Sequence, residues 1–139
     1  MGNLATKANL YAAIEAGDEL VVKELLSKNP SIINEPITSD GRSNAIWRAA
    51  YLGKLEIVHL LINLGADVNC SGDSNVTALM WAASRGNIDV IDTLLENGWH
   101  LDIKDPDGLT ASDYAALYGY YNALYSLHRK GCPITCSSD

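Results

Sequence analysis

The side chains able to do chemistry in this chain are few and poorly placed for it. His59, His100 and His128 are the available imidazoles. None stands in a spacing that pairs it with a nucleophile or carboxylate, and proton transfer needs such a partner within hydrogen-bond reach. Cys70, Cys132 and Cys136 are odd in number and lack the spacing of zinc ligands. They read as reduced thiols of a cytosolic protein. The glycines do not cluster into a phosphate-binding loop; they recur at wide, regular intervals. Asn75-Val76-Thr77 matches a glycosylation acceptor, but Asn75 fits a turn and Thr77 a helix cap. These residues predict no enzyme, no metal centre and no cofactor.

One chemical signal stands apart, at the N-terminus. Met1-Gly2-Asn3-Leu4-Ala5-Thr6-Lys7 fits the pattern for N-myristoylation, with Gly2 as the acceptor once Met1 is removed. A single acyl chain gives membrane affinity of only about 10⁴ M⁻¹. No basic cluster or neighbouring cysteine reinforces it, and a formal charge of −7 opposes an anionic leaflet. A lipid on Gly2 would therefore need protein contacts to hold the chain at the cytoplasmic face of a membrane.

The 139 residues, 47% of them hydrophobic, suit one domain with a continuous core. The negative charge and the absence of Lys or Arg runs exclude a phosphate-backbone ligand such as nucleic acid. No apolar stretch approaches the roughly 18 residues of a membrane span. Nor does the N-terminus carry the apolar core of a secretory signal. The predicted setting is cytoplasmic.

The regular glycines lead to the elements. Gly53, Gly86 and Gly119 repeat at an offset of about 33 residues, as do Ala49-Ala50, Ala82-Ala83 and Ala115-Ala116, then Leu61, Leu94 and Leu127. A divergent copy precedes them, with Leu10, Ala13, Gly17, Val21 and Leu25-Leu26. In the best copy Thr77 to Ala83 opens a helix, and Gly86 ends it with the positive φ that glycine tolerates. Ile88 to Glu96 forms a second helix, with Ile88, Val90, Ile91, Leu94 and Leu95 at helical spacing. Asp105-Pro106-Asp107-Gly108 reads as a turn or hairpin tip. A unit this short cannot bury a core alone and must stack on its neighbours.

These residues resemble the ankyrin repeat family. Gly65-Ala66-Asp67-Val68-Asn69, Thr77-Ala78-Leu79-Met80-Trp81-Ala82-Ala83 and Asp107-Gly108-Leu109-Thr110 follow its consensus, and the likeness covers roughly residues 8 to 135. It implies an all-α solenoid of helix-turn-helix units with projecting β-turn or hairpin loops. The expected layout is an N-terminal segment, 1–7, then one domain, 8–139, with repeats near 8–40, 41–73, 74–106 and 107–135 and a short tail. The resemblance also places Asn69 at a loop position that is hydroxylated in some animal members, although a backbone hydrogen bond is its plainer role.

Departures from the consensus locate the ends. Asn29-Pro30 replaces the usual glycine in the first copy, where Asn tolerates a left-handed turn. Asn122, His128 and Arg129 suit a polar C-terminal cap, and Asp18, Glu19, Lys23 and Glu24 an N-terminal one. Capped ends predict a whole four-repeat protein that is a monomer.

The resemblance implies a protein partner met by the loop tips and the exposed ends of the first helices. Those ends carry Tyr51, Leu52, Arg85, Leu117 and Tyr118, with Trp47 nearby. The tips add Asp40, Arg42, Asp73, Asp105 and Asp107. Tyr, Trp and Arg dominate interface energetics, so this set is the predicted binding surface. Trp81 and Tyr114 hold a position expected in the core. Arg48, at that same position, needs an acidic partner such as Glu15 or a ligand.

Overall fold

The computed structural model describes residues 3–41, 43–67, 76–97 and 103–131. Among them are eight α-helices: α1 Asn3–Ala16, α2 Glu19–Lys28, α3 Ala45–Leu52, α4 Leu55–Asn63, α5 Ala78–Ser84, α6 Ile88–Glu96, α7 Ala111–Leu117 and α8 Tyr121–Arg129. They pack as antiparallel pairs, α1 with α2 through to α7 with α8. Two rows result. The first helices α1, α3, α5 and α7 stack side by side, and the second helices α2, α4, α6 and α8 form a parallel row behind them.

Local chemistry sets the helix ends. Asp18, Asn44, Thr77 and Thr110 each accept a hydrogen bond from a backbone N–H in the first turn of the helix that follows. At the other end Gly53 and Gly86 adopt φ of +71° and +67°, which reverses the chain into the second helix. The segment after Pro106 closes as a turn, with Gly108 N–H donating to Asp105 C=O at 2.9 Å.

The alanine pairs explain how closely the first row packs. Ala49, Ala50, Ala82, Ala83 and Ala115 are buried between neighbouring first helices, where any larger side chain would push the backbones apart. Ile57, Leu61, Ile91, Leu94 and Leu127 fill the space between the rows. The core thus runs the length of the stack.

A further junction device is not apparent in the sequence. The residue after each later repeat glycine reaches back over the glycine of the previous repeat. Lys54 lies over Gly17, Asn87 over Gly53 and Tyr120 over Gly86. Asn87 also donates from Nδ2 to the carbonyls of Ala50 at 2.9 Å and Tyr51 at 3.3 Å, closing the open end of α3.

Two expectations need correction. Asn29 is not left-handed: its φ is −136°, and Pro30 instead starts a short 3₁₀ helix, Pro30–Asn34. Proline suits that start because its fixed φ matches the first helical position and its missing N–H is not needed there. The C-terminal face is also less polar than a cap requires. Asn122, His128 and Arg129 are exposed as expected, but Tyr121 and Tyr125 stand exposed among them.

Candidate functional site

Tyr11, Arg48, Tyr51 and Arg85 form a ladder of alternating rings and guanidinium groups across the first row. The Arg48 guanidinium sits 4.9 Å from the Tyr11 ring centre and 5.7 Å from that of Tyr51. Arg85 covers the Tyr51 ring at 4.8 Å. Each such contact is worth about 0.5–1 kcal/mol where solvent reaches it. Glu15 orients the ladder, because its Oε1 accepts from Arg48 Nη2 at 2.6 Å. That hydrogen bond, followed by one from the Tyr11 hydroxyl, holds the Glu15 carboxyl below its ordinary range. The same contact with Glu15 is the first cause that raises the Tyr11 hydroxyl, ahead of burial.

Beside the ladder lies a groove of about 410 Å³, bounded by α1, α3 and α5 and by the turn at Thr38–Gly41. Trp47 and Trp81 form its apolar wall with ring centres 6.1 Å apart, and Tyr51 meets Trp81 edge-on at 5.2 Å. Thr38, Asp40 and Ser43 supply the polar lip. Two buried donors of the groove-lining side chains, Arg48 Nε and Trp81 Nε1, have no acceptor.

The predicted site residues fall into separate groups. Tyr51 lines the groove, half-buried under Arg85, while Leu52 is half-buried against the core. Arg85 is exposed and has no carboxylate partner among the described residues. Trp47 is corrected: it is only 2% exposed, because the Asn44 cap turns it inward to pack on Trp81. Leu117 and Tyr118 are exposed on the last repeat and do not line the groove. Asp73, like Arg42, Asn69, Asn75, His100, the three cysteines and Gly2, lies outside the described residues.

The acidic tips divide too. Asp107 is exposed, but Asp105 is only 7% exposed and works as a staple. Its Oδ1 accepts from the N–H groups of Asp107 and Leu109, both at 2.9 Å, and its Oδ2 accepts from the Tyr114 hydroxyl. Burial, and then that bond to Asp105, pushes the Tyr114 hydroxyl well above its ordinary range. Tyr114 and Trp81 are both half-buried rather than fully in the core.

Nothing in this arrangement assembles a reaction centre. His59 and His128 are exposed on the second row. No group of three or more metal-binding side chains occurs among the described residues. What the geometry offers is a shaped surface with aromatic walls and an oriented cation.

A family model for ankyrin repeats (3 copies) matches residues 5–72 and 46–137. The chain belongs to the ankyrin repeat family. No curated protein matches it. Ankyrin repeats are generally non-enzymatic modules that bind other proteins. No helix among the described residues is long and apolar enough to cross a membrane. The residues that sequence reasoning missed, Tyr11 and Asn87, sit where the fold brings successive ankyrin units together. Their signal was the repeat register, which sets Tyr11 against Trp47 and Asn87 against Lys54.

Proposed function

We propose that this ankyrin protein is a non-enzymatic adaptor, scaffold or inhibitor that captures a segment of a partner protein in the groove of the first three repeats. The observation that carries it is the ladder of Tyr11, Arg48, Tyr51 and Arg85 beside an aromatic groove of about 410 Å³. A partner segment supplying a carboxylate would pair with the exposed Arg85, and an apolar side chain beside it would cover Tyr51 and Trp81. Arg85 and Tyr51 stand at the groove edge as the expected energetic centre.

The test is selection of peptides from a random display library on the intact protein, followed by NMR mapping of the bound state. Shifts concentrated at Tyr11, Arg48, Tyr51 and Trp81, abolished by Tyr51→Ala, support the reading. Contacts confined to the second-row helices around Glu56, His59 and Asp92 would overturn it and put the functional surface on the opposite side.

The N-terminal pattern around Gly2 supports a second reading, a myristoylated regulator acting on a membrane-bound partner. Intact-mass measurement on protein from its native source decides it. Unmodified Gly2 throughout would remove it.

A further inference from the structure

The large apolar side chains left exposed among the described residues are Leu20, Val21, Leu64, Leu117, Tyr118, Tyr120, Tyr121 and Tyr125. Leu64 apart, they belong to the first and last repeats described. Terminal repeats ordinarily turn polar surface to water, and apolar patches of this kind mark contact sites.

We infer that the two end faces are the halves of one more repeat junction, so that copies of this chain stack head to tail. The C-terminal face of one copy, through Leu117, Tyr121 and Tyr125, meets Ala12, Val21 and Glu24 of the next.

The internal junctions supply the template. Each sets the residue two beyond a repeat glycine against the residue four beyond the next such glycine. Glu19 and Ile57 line one cleft, Leu55 and Val90 a second, and Ile88 and Ala123 a third. The receiving residues Ile57, Val90 and Ala123 are each 1% exposed. One step further along the series, Tyr121 has no receiver among the described residues and is 70% exposed. One step before its start, Val21 has no residue facing it and is 37% exposed, with Leu20 beside it at 80%. The open surfaces are those the repeat register would bring together.

Two further pairs agree. In the second row Ser126 Oγ donates to Asp92 at 3.1 Å. The same register puts Tyr125 in place of Asp92 and Glu24 in place of Ser126. Donor and acceptor change sides, and the hydrogen bond survives. In the first row Tyr51 rests on Trp81 and on Arg85. The equivalent residues at the open junction are Leu117 on one side and Ala12 and Ala16 on the other, all exposed. A bulky face meets a shallow one.

One position opposes the contact. Asn87 donates to the carbonyls of Ala50 and Tyr51. Its equivalent in the incoming copy is Asp18, whose carboxylate cannot donate to the carbonyls of Ala116 and Leu117. Each copy also carries a formal charge of −7, so added salt should strengthen the association by screening. A head-to-tail contact does not close on itself and yields open chains of copies. This departs from the monomer expected from the polar end residues.

Light scattering coupled to size exclusion, across protein and salt concentration, tests it. The wild-type mass should rise past that of two copies. Val21→Glu, which spoils the N-terminal face, and the double variant Tyr121→Glu/Tyr125→Glu, which spoils the C-terminal face, should each remain monomeric with unchanged helical circular dichroism. Mixed in equal amounts they should form a dimer and nothing larger, because each keeps one good face. Asp18→Asn, which preserves the helix cap, should tighten stacking about tenfold. A wild-type protein of single-copy mass at every concentration overturns the inference. So does Val21→Glu pairing with itself, which would mean a two-fold contact between C-terminal faces. An Asp18→Asn variant that associates no more tightly than wild type overturns the register.

Discussion

Arg48 and Glu15 stand 33 positions apart in the chain, yet their side chains close to 2.6 Å across the first two repeats. The contact fixes the direction of the Arg48 guanidinium between Tyr11 and Tyr51 and so shapes one wall of the groove. The Glu15 carboxyl lies below its ordinary value of 4.5, first because of the hydrogen bond from Arg48. A depressed folded-state pKa means that the stabilisation is present above about pH 4.5 and fades as pH falls through the folded value. The melting temperature of Glu15→Gln should accordingly depend less on pH in the acid range than that of wild type. Identical acid limbs would show that the pair contributes nothing to folding.

Tyr114 gives the opposite sign. Its hydroxyl is raised above the ordinary 10.0 by burial and by the bond to Asp105. Stabilisation from this contact is complete below about pH 10 and is lost as pH rises toward the folded value. Phenol absorbance should show a late tyrosine step that vanishes in Tyr114→Phe, while any delay from the raised Tyr11 hydroxyl persists. The variant should also lose about 1 kcal/mol at neutral pH, since Asp105 keeps its two backbone donors.

Gly86 and Gly119 share a positive φ, +67° and +78°, but not their surroundings. A Cβ on Gly86 would overlap the Tyr120 ring, standing 2.7 Å from its Cγ, whereas one on Gly119 meets nothing within 4 Å. Alanine at either site should cost at least about 1 kcal/mol from the backbone alone. Gly86→Ala should cost clearly more, and Gly86→Val more again. Denaturant unfolding of these variants, with and without Tyr120→Ala, separates strain from overlap. Equal losses at the two glycines would remove any role for the ring.

Asn87 joins the second and third repeats by donating to two carbonyls of α3. Asn87→Ala should lose about 1–2 kcal/mol. Asn87→Asp should lose more, because it turns a carboxylate toward the same oxygens. A stability order with Asp above Ala would contradict this geometry.

For the groove, Tyr51→Ala and Arg85→Ala should act on a selected peptide mainly through faster dissociation, weakening it by at least about tenfold. Charge reversal at the exposed Asp40 or Asp107 should chiefly change the association rate and its salt dependence. Surface plasmon resonance at two ionic strengths distinguishes these effects. An unaltered dissociation rate for Tyr51→Ala would place the binding energy elsewhere.

The repeat period alone determined the helix pairs, the cap at Thr77 and the glycine turns. Those features depend on a few residues close in the chain, and the same local rules apply in every unit. Arg48 was legible as needing an acid because a lone cation at a semi-buried position is costly. Trp47 and Asp105 were not, since a cap three residues away and a tyrosine nine residues on turned them inward. Burial of that kind is a property of neighbouring units. It took the tertiary stack to show Asn87 over Gly53 and Tyr120 over Gly86, and to leave Tyr121 and Val21 facing outward. Sequence spacing says which residues are equivalent; only the packed structure says which equivalents are covered.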